Sequence, residues 1–273
     1  MKITVIQMNS KDKKSVNVNR AIHFIEQAAA EGTDVVSLPE YFNFLGDNDL
    51  HDENSESIPG ATTNRLMELA RKLGINIHAG SIIEKKVDGE KFYNTSVFIN
   101  REGEIVGKYR KIHLFDVEIE GRVLAKESDS VKRGNEVTVL DTDIGKVGLS
   151  ICYDLRFPEL YRTMALQGAK VLFVPAAFTL YTGIHHWETL LRARAIENQC
   201  FVVASGQFGS YPPENRTNFG SSMIIDPWGI VIARASEKEG FVTATIDIDE
   251  ITRVRQSIPC LEHRVTELYE IGG

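Results

Sequence analysis

The segment around Cys152 gives the clearest indication of chemistry in this sequence. An apolar stretch, 148–151, ends at the cysteine, and Pro158 then marks the start of a helix. Where a strand turns sharply into a helix, backbone N–H groups point outward, and such donors lower a thiol pKa and stabilise an oxyanion. A lone cysteine is more often an inert buried side chain. The charges at Asp154 and Arg156 favour a nucleophile here.

A nucleophilic thiol also needs a proton acceptor and a group that holds the developing negative charge. Histidine is the usual acceptor, and the candidates in this sequence are His113, His185 and His186. None of them lies in a context typical of a papain-like protease or a glutaminase. His185 and His186 do not share a helix face because they are adjacent, so a metal pair is not predicted there.

Two other segments offer a different chemistry. Glu40 directly follows Leu38 and Pro39, which end a buried strand, and open α/β sheets expose reactive groups at such strand ends. The run 109–116 places Lys111 at the end of another strand. Taken singly, each segment has a simpler interpretation. A glutamate after a strand is usually a surface residue, and a lysine-rich edge strand usually protects a sheet from aggregation.

Taken in order, the three segments resemble the nitrilase, or carbon–nitrogen hydrolase, superfamily, whose catalytic triad is Glu, Lys and Cys. Glu40 and Lys111 are 71 residues apart, and Lys111 and Cys152 are 41 apart, spacings that also resemble this family. The Tyr-Asp dipeptide after the cysteine is similar to the amidase branches. The runs 111–118 and 258–264 are similar to the branch that contains ω-amidases and deaminated-glutathione amidases.

The resemblance implies a role for each residue. Cys152 would attack an amide carbon and form a thioester, and Glu40 would act as general acid and base. Lys111 and the backbone N–H of Tyr153 would stabilise the oxyanion. Glu127, in a Glu-Ser pair similar to that of the ω-amidase-like branch, would position the lysine and the attacking water. Neither a metal nor an organic cofactor is implied.

Two other glutamates lie nearer to the lysine but fit the family pattern less well. Glu118 and Glu120 are interpreted as part of a polar loop. Relatives commonly have Pro-Gly where this chain has Glu120-Gly121. This departure predicts a loop of altered mobility before Glu127, with the proposed catalytic groups left intact.

The implied reaction is hydrolysis of small amides that carry a carboxylate, and an ω-amidase-like enzyme is the main expectation. A deaminated-glutathione amidase and an N-carbamoyl amidohydrolase are alternatives in the same superfamily. A catalytically silent ligand-binding protein is the alternative from another class. Phe178, Thr179 and Tyr181 are predicted to line the substrate pocket. Arg156 and Arg194 are candidates for binding the substrate carboxylate, although a structural ion pair is the commoner role of such residues.

The elements that must position these residues alternate between strand-like and helix-like patterns. They predict a single α/β domain over residues 1–273, built as a four-layer α–β–β–α sandwich with two mixed sheets. The predicted elements include a helix with Ser15 as its N-cap, a strand over 75–83, and a helix that contains Trp187 and Ala195.

Composition narrows the classes of function. The chain has 31 basic and 38 acidic residues, a net charge of −7 that argues against nucleic acid as the partner. No apolar run reaches the roughly 20 residues that span a membrane. Three widely spaced cysteines predict no disulfide framework and a cytoplasmic location, with Cys200 and Cys260 inert. Family analogy adds a homodimer, with a C-terminal tail over 256–273 near the interface.

Overall fold

Two mixed β-sheets form the centre of the fold. The computed structural model describes residues 1–86, 89–121, 123–212 and 216–268. The strands are β1 Lys2–Gln7, β2 Val35–Ser37, β3 Asn76–His78, β4 Ile82–Glu84, β5 Tyr93–Ile99, β6 Ile105–Arg110, β7 Asp116–Ile119, β8 Val123–Lys126, β9 Thr138–Thr142, β10 Gly145–Leu149, β11 Val171–Ala176, β12 Phe201–Gly206, β13 Phe208–Tyr211, β14 Arg216–Phe219, β15 Met223–Ile225, β16 Val231–Arg234 and β17 Gly240–Thr245. The helices are α1 Lys14–Ala30, α2 His51–Asn54, α3 Ala61–Leu73, α4 Pro158–Leu166, α5 Leu180–Asn198 and α6 Asp249–Ser257. Short 3₁₀ turns cover Asn48–Leu50, Glu127–Asp129, Cys152–Arg156 and Thr266–Leu268.

Both sheets combine parallel and antiparallel pairs. The first has the order β17-β1-β2-β3-β5-β4, with β6 also paired to β5. The second has the order β16-β15-β12-β11-β10-β9. In each sheet the central pairs are parallel, β1–β2–β3 in one and β10–β11–β12 in the other. The hairpins β7–β8 and β13–β14 form separate two-stranded sheets.

Apolar side chains alternate along the strands and so build two cores. Ile3 and Val5 of β1 pack with residues of β10, β11 and β12 between the sheets. Ile6, on the other face of β1, packs with Ile25 of α1 and Leu66 of α3. Helices α4 and α5 contact each other and the second sheet from outside. The four layers are therefore α–β–β–α, which confirms the predicted fold class.

Three predicted elements differ from the structure. Helix α1 begins at Lys14, so Ser15 lies within its first turn and is not the N-cap. The strand predicted over 75–83 is divided into β3 and β4 at Gly80, which has a φ of +49° and lies against the backbone of Leu38 and Pro39. Helix α5 begins at Leu180, before the apolar periodicity around Trp187.

Several elements were not predicted. Glu118 lies on strand β7 and not in a loop, so that interpretation was wrong. The hairpin β13–β14 and helix α6 were also missed. Residues 269–273 of the predicted tail lie outside the described part of the chain. In the ranges that are described, no helix is long and apolar enough to cross a membrane.

Candidate active site

A cavity of about 780 Å³ lies at the carboxyl ends of β2 and β10, one strand from each sheet. Its lining includes Glu40, Lys111, Glu127 and Cys152. The four residues therefore converge on one cavity from four separate segments. Parallel strands bring their carboxyl ends to the same edge of a sheet, which is where open α/β folds bind ligands.

The turn after β10 holds Cys152 in an uncommon conformation. Its φ is +50°, in the left-handed region that non-glycine residues rarely adopt. Residues Cys152–Arg156 form a 3₁₀ turn, and Pro158 occupies the first turn of α4, where its missing N–H costs no hydrogen bond. The sharp strand-to-helix turn expected from the sequence is present, with the cysteine at its start.

Buried Asp154 ties this turn to the segment that carries the lysine. Its carboxylate accepts from the backbone N–H of Ile151 at 2.8 Å and from the hydroxyl of Tyr109 at 2.7 Å. It also accepts from the backbone N–H of His113 at 3.0 Å and contacts His113 Nδ1 at 2.8 Å. The His113 ring stacks on Phe157. His113, a candidate proton acceptor by sequence, thus contributes to this structural contact and does not line the cavity.

The carboxylate of Glu40 is buried and held by three donors. Its Oε1 accepts from Asn94 Nδ2 at 2.8 Å and from Lys111 Nζ at 3.1 Å. Its Oε2 accepts from the backbone N–H of Ala177 at 2.7 Å. The backbone is fixed too, because Gln207 Nε2 donates to the carbonyl oxygen of Glu40 at 2.9 Å. Glu40 is therefore not the surface residue of the simpler interpretation.

Lys111 lies between two carboxylates. Its Nζ donates to Glu127 Oε2 at 2.8 Å as well as to Glu40. Burial alone would lower the pKa of Lys111, but the charges of Glu127 and Glu40 raise it well above its usual value. Burial would likewise raise the pKa of Glu127, but Lys111 and the hydrogen bonds from Phe115 N–H and Asn94 hold it below its usual value. Lys111 is thus a cation and Glu127 an anion at neutral pH.

The thiol of Cys152 is protonated in this environment. Burial raises its pKa well above the usual value, and the negative charge of Glu40 raises it further, while Lys111 acts in the opposite direction. A hydrogen bond with the Glu40 carboxylate also favours the protonated thiol. The geometry places a carboxylate base beside a thiol that needs one.

The predicted pocket residues Phe178, Thr179 and Tyr181 all line the cavity. Tyr153, whose backbone N–H was predicted to stabilise the oxyanion, lines it as well. The two arginine candidates differ in whether they line the cavity. Arg156 lines the cavity, whereas buried Arg194 donates from Nη2 to the carbonyl oxygen of Leu155 at 2.7 Å and is not among the lining residues.

Sequence reasoning missed two residues of this site. Asn94 Nδ2 donates to both Glu40 and Glu127, the latter at 3.2 Å, and so joins the two carboxylates. Tyr41 donates its hydroxyl to Glu127 Oε1 at 3.1 Å. An Asn within the strand-like stretch 92–99 was the available signal for Asn94, since a buried amide needs partners.

A chain of hydrogen bonds lies in the core between the two sheets. Ser205 Oγ donates to Ser37 Oγ, which contacts His78 Nδ1, and His78 Nε2 contacts Ser96 Oγ, each at 2.8 Å. Ser205 Oγ also lies 3.0 Å from the carbonyl oxygen of Ser37, so both serines and the imidazole have hydrogen-bond partners in the core. Burial lowers the pKa of His78 to about 3. The histidine is thus neutral and connects β2, β3, β5 and β12.

The chain is similar to known proteins both in sequence and in structure. Residues 2–256 match the family model for carbon-nitrogen hydrolases. The chain is 45% identical over 264 residues to a deaminated glutathione amidase of Synechocystis, covering 95% of this chain and 96% of that protein. It is 38% identical over 273 residues to the human omega-amidase NIT2, covering 99% of this chain and 97% of that protein. The crystal structure of Saccharomyces cerevisiae Nit3, a member of branch 10 of the nitrilase superfamily, has a TM-score of 0.86 at 35% identity and covers 95% of this chain and 94% of that one.

The four-layer sandwich is therefore a nitrilase-superfamily fold. Because the family model matches nearly the whole chain and both relatives exceed 30% identity, the chain belongs to the carbon–nitrogen hydrolase family. The expected superfamily and enzyme class are confirmed. The amidase names of both relatives agree with the expected reaction. No group of three or more His, Cys, Asp or Glu side chains in the described residues is arranged to hold a metal.

Proposed function

We propose that this chain is a cysteine-dependent amidase that hydrolyses small amides bearing a carboxylate, in the manner of an ω-amidase. The observation that carries the proposal is the Glu40–Lys111–Glu127 cluster, buried in the same cavity as the protonated Cys152 thiol. A buried cation fixed between two anions is costly to build unless the charges are used or fully paired. Here they surround the one cysteine that lines the cavity among the described residues.

In the first half-reaction, Glu40 takes the thiol proton as Cys152 Sγ attacks the amide carbon. The carbonyl oxygen becomes an oxyanion, stabilised by the Lys111 ammonium and the backbone N–H of Tyr153. When the intermediate collapses, the C–N bond breaks and Glu40 gives its proton to the leaving nitrogen. Ammonia or an amine departs, and the acyl group remains on sulfur as a thioester.

In the second half-reaction, Glu40 takes a proton from water, which attacks the thioester carbon. The C–S bond breaks, the carboxylic acid is released, and the proton returns to the thiolate. Glu127 positions Lys111 throughout, because it accepts from Nζ and is itself held by Phe115 N–H at 2.7 Å. The groups that this mechanism uses are four side chains, one backbone N–H and water.

Arg156 is the residue that we propose to bind the substrate carboxylate. It lines the cavity with a permanent positive charge, and Phe178, Thr179 and Tyr181 form part of the wall that it shares. Guanidinium groups suit carboxylates because their N–H donors form a planar fork. Arg194, the other candidate, is committed to the Leu155 carbonyl.

The test is ammonia release from succinamate and 2-oxoglutaramate by the purified full chain. Replacing Cys152→Ala is expected to abolish release, because the nucleophile is gone. Cys260→Ala is the matched control, since Cys260 is a half-buried thiol outside the cavity, and it is expected to keep wild-type activity. Full activity of the Cys152→Ala variant would refute the proposal, and it would also refute the thioester.

A deaminated-glutathione amidase is the second candidate, favoured by the size of the cavity. At about 780 Å³ the cavity is in the range that accepts drug-sized ligands and exceeds the needs of a five-carbon amide. An N-carbamoyl amidohydrolase would leave a carbamoyl group on sulfur in place of the substrate's acyl group. The mass of the Cys152 adduct after rapid quenching separates an amidase, which leaves the substrate's acyl group, from a carbamoyl hydrolase. A silent ligand-binding protein would form no adduct.

We also propose a homodimer, a cytoplasmic location and a single domain over the whole chain. Trp228 and Ile230 are 53% and 55% exposed, and they flank Gly229, which lies against Ile196, itself 49% exposed. We call these three residues the apolar patch. The tail contacts the end of α5, the helix that carries Ile196, because Gln199 Nε2 donates to the carbonyl oxygen of Ile258 at 2.7 Å. Exposed apolar surface of this kind favours a second copy of this chain as its partner.

Three free cysteines support the cytoplasmic location.

A further inference from the structure

The guanidinium of Arg156 lies near two aromatic rings on the cavity wall. Its Cζ is 5.7 Å from the ring centroid of Tyr153 and 5.3 Å from that of Phe178. Both distances are within the range of about 6 Å for cation–π attraction. This attraction keeps the group near the rings but does not fix its rotation. A hydrogen-bond partner at its edge is needed to set the direction of its donors.

His186 of α5 provides that partner. Arg156 Nη1 lies 3.2 Å from His186 Nδ1. Arginine only donates, so Nδ1 must be the acceptor, and the imidazole is therefore neutral with its proton on Nε2. The helix is fixed at this point by the next residue. Trp187 is buried, donates from Nε1 to the carbonyl oxygen of Ser221 at 2.8 Å, and packs on Phe178 at 5.1 Å between ring centroids.

The surroundings of His186, whose side chain is exposed like that of His185, favour the neutral state. Burial lowers the pKa of His186, and the positive charge of Arg156 and the neighbouring His185 lower it further. These groups come from the turn after β10 and from α5 itself. Protonation would put an N–H on Nδ1, facing the N–H of Arg156, so the hydrogen bond would be lost and two cations would repel.

We propose that His186 is a positioning residue that aims Arg156 at the substrate carboxylate and releases it when the imidazole is protonated. The inference rests on the proposed function, in which Arg156 binds that carboxylate. Of the adjacent residues His185 and His186, this proposal assigns a role to His186 only. His186 acts through Arg156, so its effect is confined to substrates with a negative charge. Binding of neutral amides does not depend on it.

The experiment compares KM for succinamate with KM for butanamide, which lacks the carboxylate. His186→Ala is expected to raise KM for succinamate roughly threefold to tenfold, the effect of one lost hydrogen bond to a charged group near solvent, and to leave kcat and the butanamide KM unchanged. His185→Ala is the matched control, since His185 is an exposed neighbour outside the cavity lining. It is expected to behave as wild type.

A pH series separates positioning from a general structural effect. The ratio of the two KM values in the wild type is expected to rise as pH falls from about 7.5 to about 5, where the substrate carboxylate is still ionised. His186→Asn keeps an acceptor near the position of Nδ1 and does not titrate. It is therefore expected to retain the wild-type ratio at high pH and to abolish its rise at low pH.

The results distinguish a wrong role for Arg156 from a wrong role for His186. Arg156→Met is expected to raise the succinamate KM more than His186→Ala does. If it leaves that KM unchanged, the carboxylate-binding role of Arg156 is wrong and the inference falls with it. If Arg156→Met has the expected effect but His186→Ala does not, only the role of His186 is wrong. An equal rise of KM for butanamide in His186→Ala, or a pH response that persists in His186→Asn, would also overturn it.

Discussion

At the scale of single residues, the site depends on charges that compensate one another in a buried space. Lys111 is the only cation that contacts both Glu40 and Glu127 among the described residues. Removing it would leave two carboxylates close together with no counter-charge. Removing Lys111 is therefore expected to lower stability by more than its ion pairs contribute, because uncompensated buried charges are strongly disfavoured.

Lys111→Met is expected to lower the free energy of unfolding by about 3 to 5 kcal/mol, because it leaves buried carboxylates unpaired. Adding Glu127→Gln to this variant is expected to restore part of the loss, since it removes one of the two like charges. Urea unfolding at neutral pH measures both. Lys146→Met, at an exposed position of β10, is the control. If the change in unfolding free energy of the double variant equals the sum of the changes in Lys111→Met and Glu127→Gln alone, the charges are not coupled as described.

His78 sets the acid stability of the core. Burial lowers the pKa of His78 from 6.5 to about 3, so the unfolded chain takes up the proton first as pH falls. The stabilisation is therefore complete above about pH 6.5 and is lost progressively towards about pH 3, by up to about 1.4 kcal/mol per pH unit. Urea unfolding between about pH 7 and about pH 4.5 is expected to show a shallower pH dependence for His78→Gln than for wild type.

The matched control for that series is Ser37→Ala. It removes a hydrogen-bond partner of His78 without removing the titrating group. It is expected to lower stability at all pH values and to keep the steep acid dependence. Parallel pH profiles for wild type and His78→Gln would contradict the proposed origin of the acid sensitivity.

At the scale of elements, the break between β3 and β4 positions Glu40. Gly80 lies against the carbonyl oxygens of Leu38 and Pro39, and a Cβ there would collide with both. Ser81 continues the contact, because its hydroxyl accepts from the backbone N–H of Tyr41 at 3.1 Å. The kink that divides the predicted strand is thus what brings a second segment close to the glutamate.

Gly80→Ala is expected to lower the free energy of unfolding by more than about 3 kcal/mol, through positive φ and backbone collision together. It is also expected to lower kcat about tenfold or more, because Glu40 is displaced. Gly74→Ala is the matched control. Gly74 has a φ of +67° but nothing within 4 Å of its added Cβ, so the cost is about 1 kcal/mol with full activity. Similar losses in the two variants would show that strain alone is responsible.

The sequence predicted elements best where local and long-range preferences agree. Gly74, at a φ of +67°, ends α3, and such a helix end can be predicted from the sequence because the conformational freedom of glycine is a local property. The break at Gly80 could not be predicted, since its cause is the backbone of Leu38 and Pro39, distant in the chain. The hairpin that carries Glu118 does alternate polar and apolar residues, but it is short and half-exposed, so its pattern is weak.

The candidate site shows the same division. Glu40, Lys111 and Cys152 were predicted because their flanking motifs are specific, and Glu127 was predicted through the same resemblance; the structure brings all four to one cavity. Asn94 was missed, since its partners Glu40 and Glu127 come together only in the fold. Resemblance to a family thus indicated the candidate reactive groups, whereas the residues that contact them required the three-dimensional structure.

At the scale of the whole molecule, the apolar patch predicts self-association. Trp228→Arg is expected to shift the chain from dimer to monomer in sedimentation velocity experiments at micromolar concentration, because a charge would be buried at the centre of the contact. Val16→Asp is the control, since Val16 is 47% exposed on α1, in the opposite helical layer. A monomeric wild type, or a dimeric Trp228→Arg variant, would contradict the proposed interface.

The protonated resting state of Cys152 bears on how this protein withstands oxidative stress. Peroxides react with thiolates, and the sulfenic, sulfinic and sulfonic acids that follow require that first step. A buried thiol with a raised pKa offers little thiolate to an oxidant. In the proposed mechanism, Glu40 takes the thiol proton only as Cys152 attacks the substrate. The protein is therefore expected to outlast, in peroxide, enzymes whose cysteine is permanently ionised.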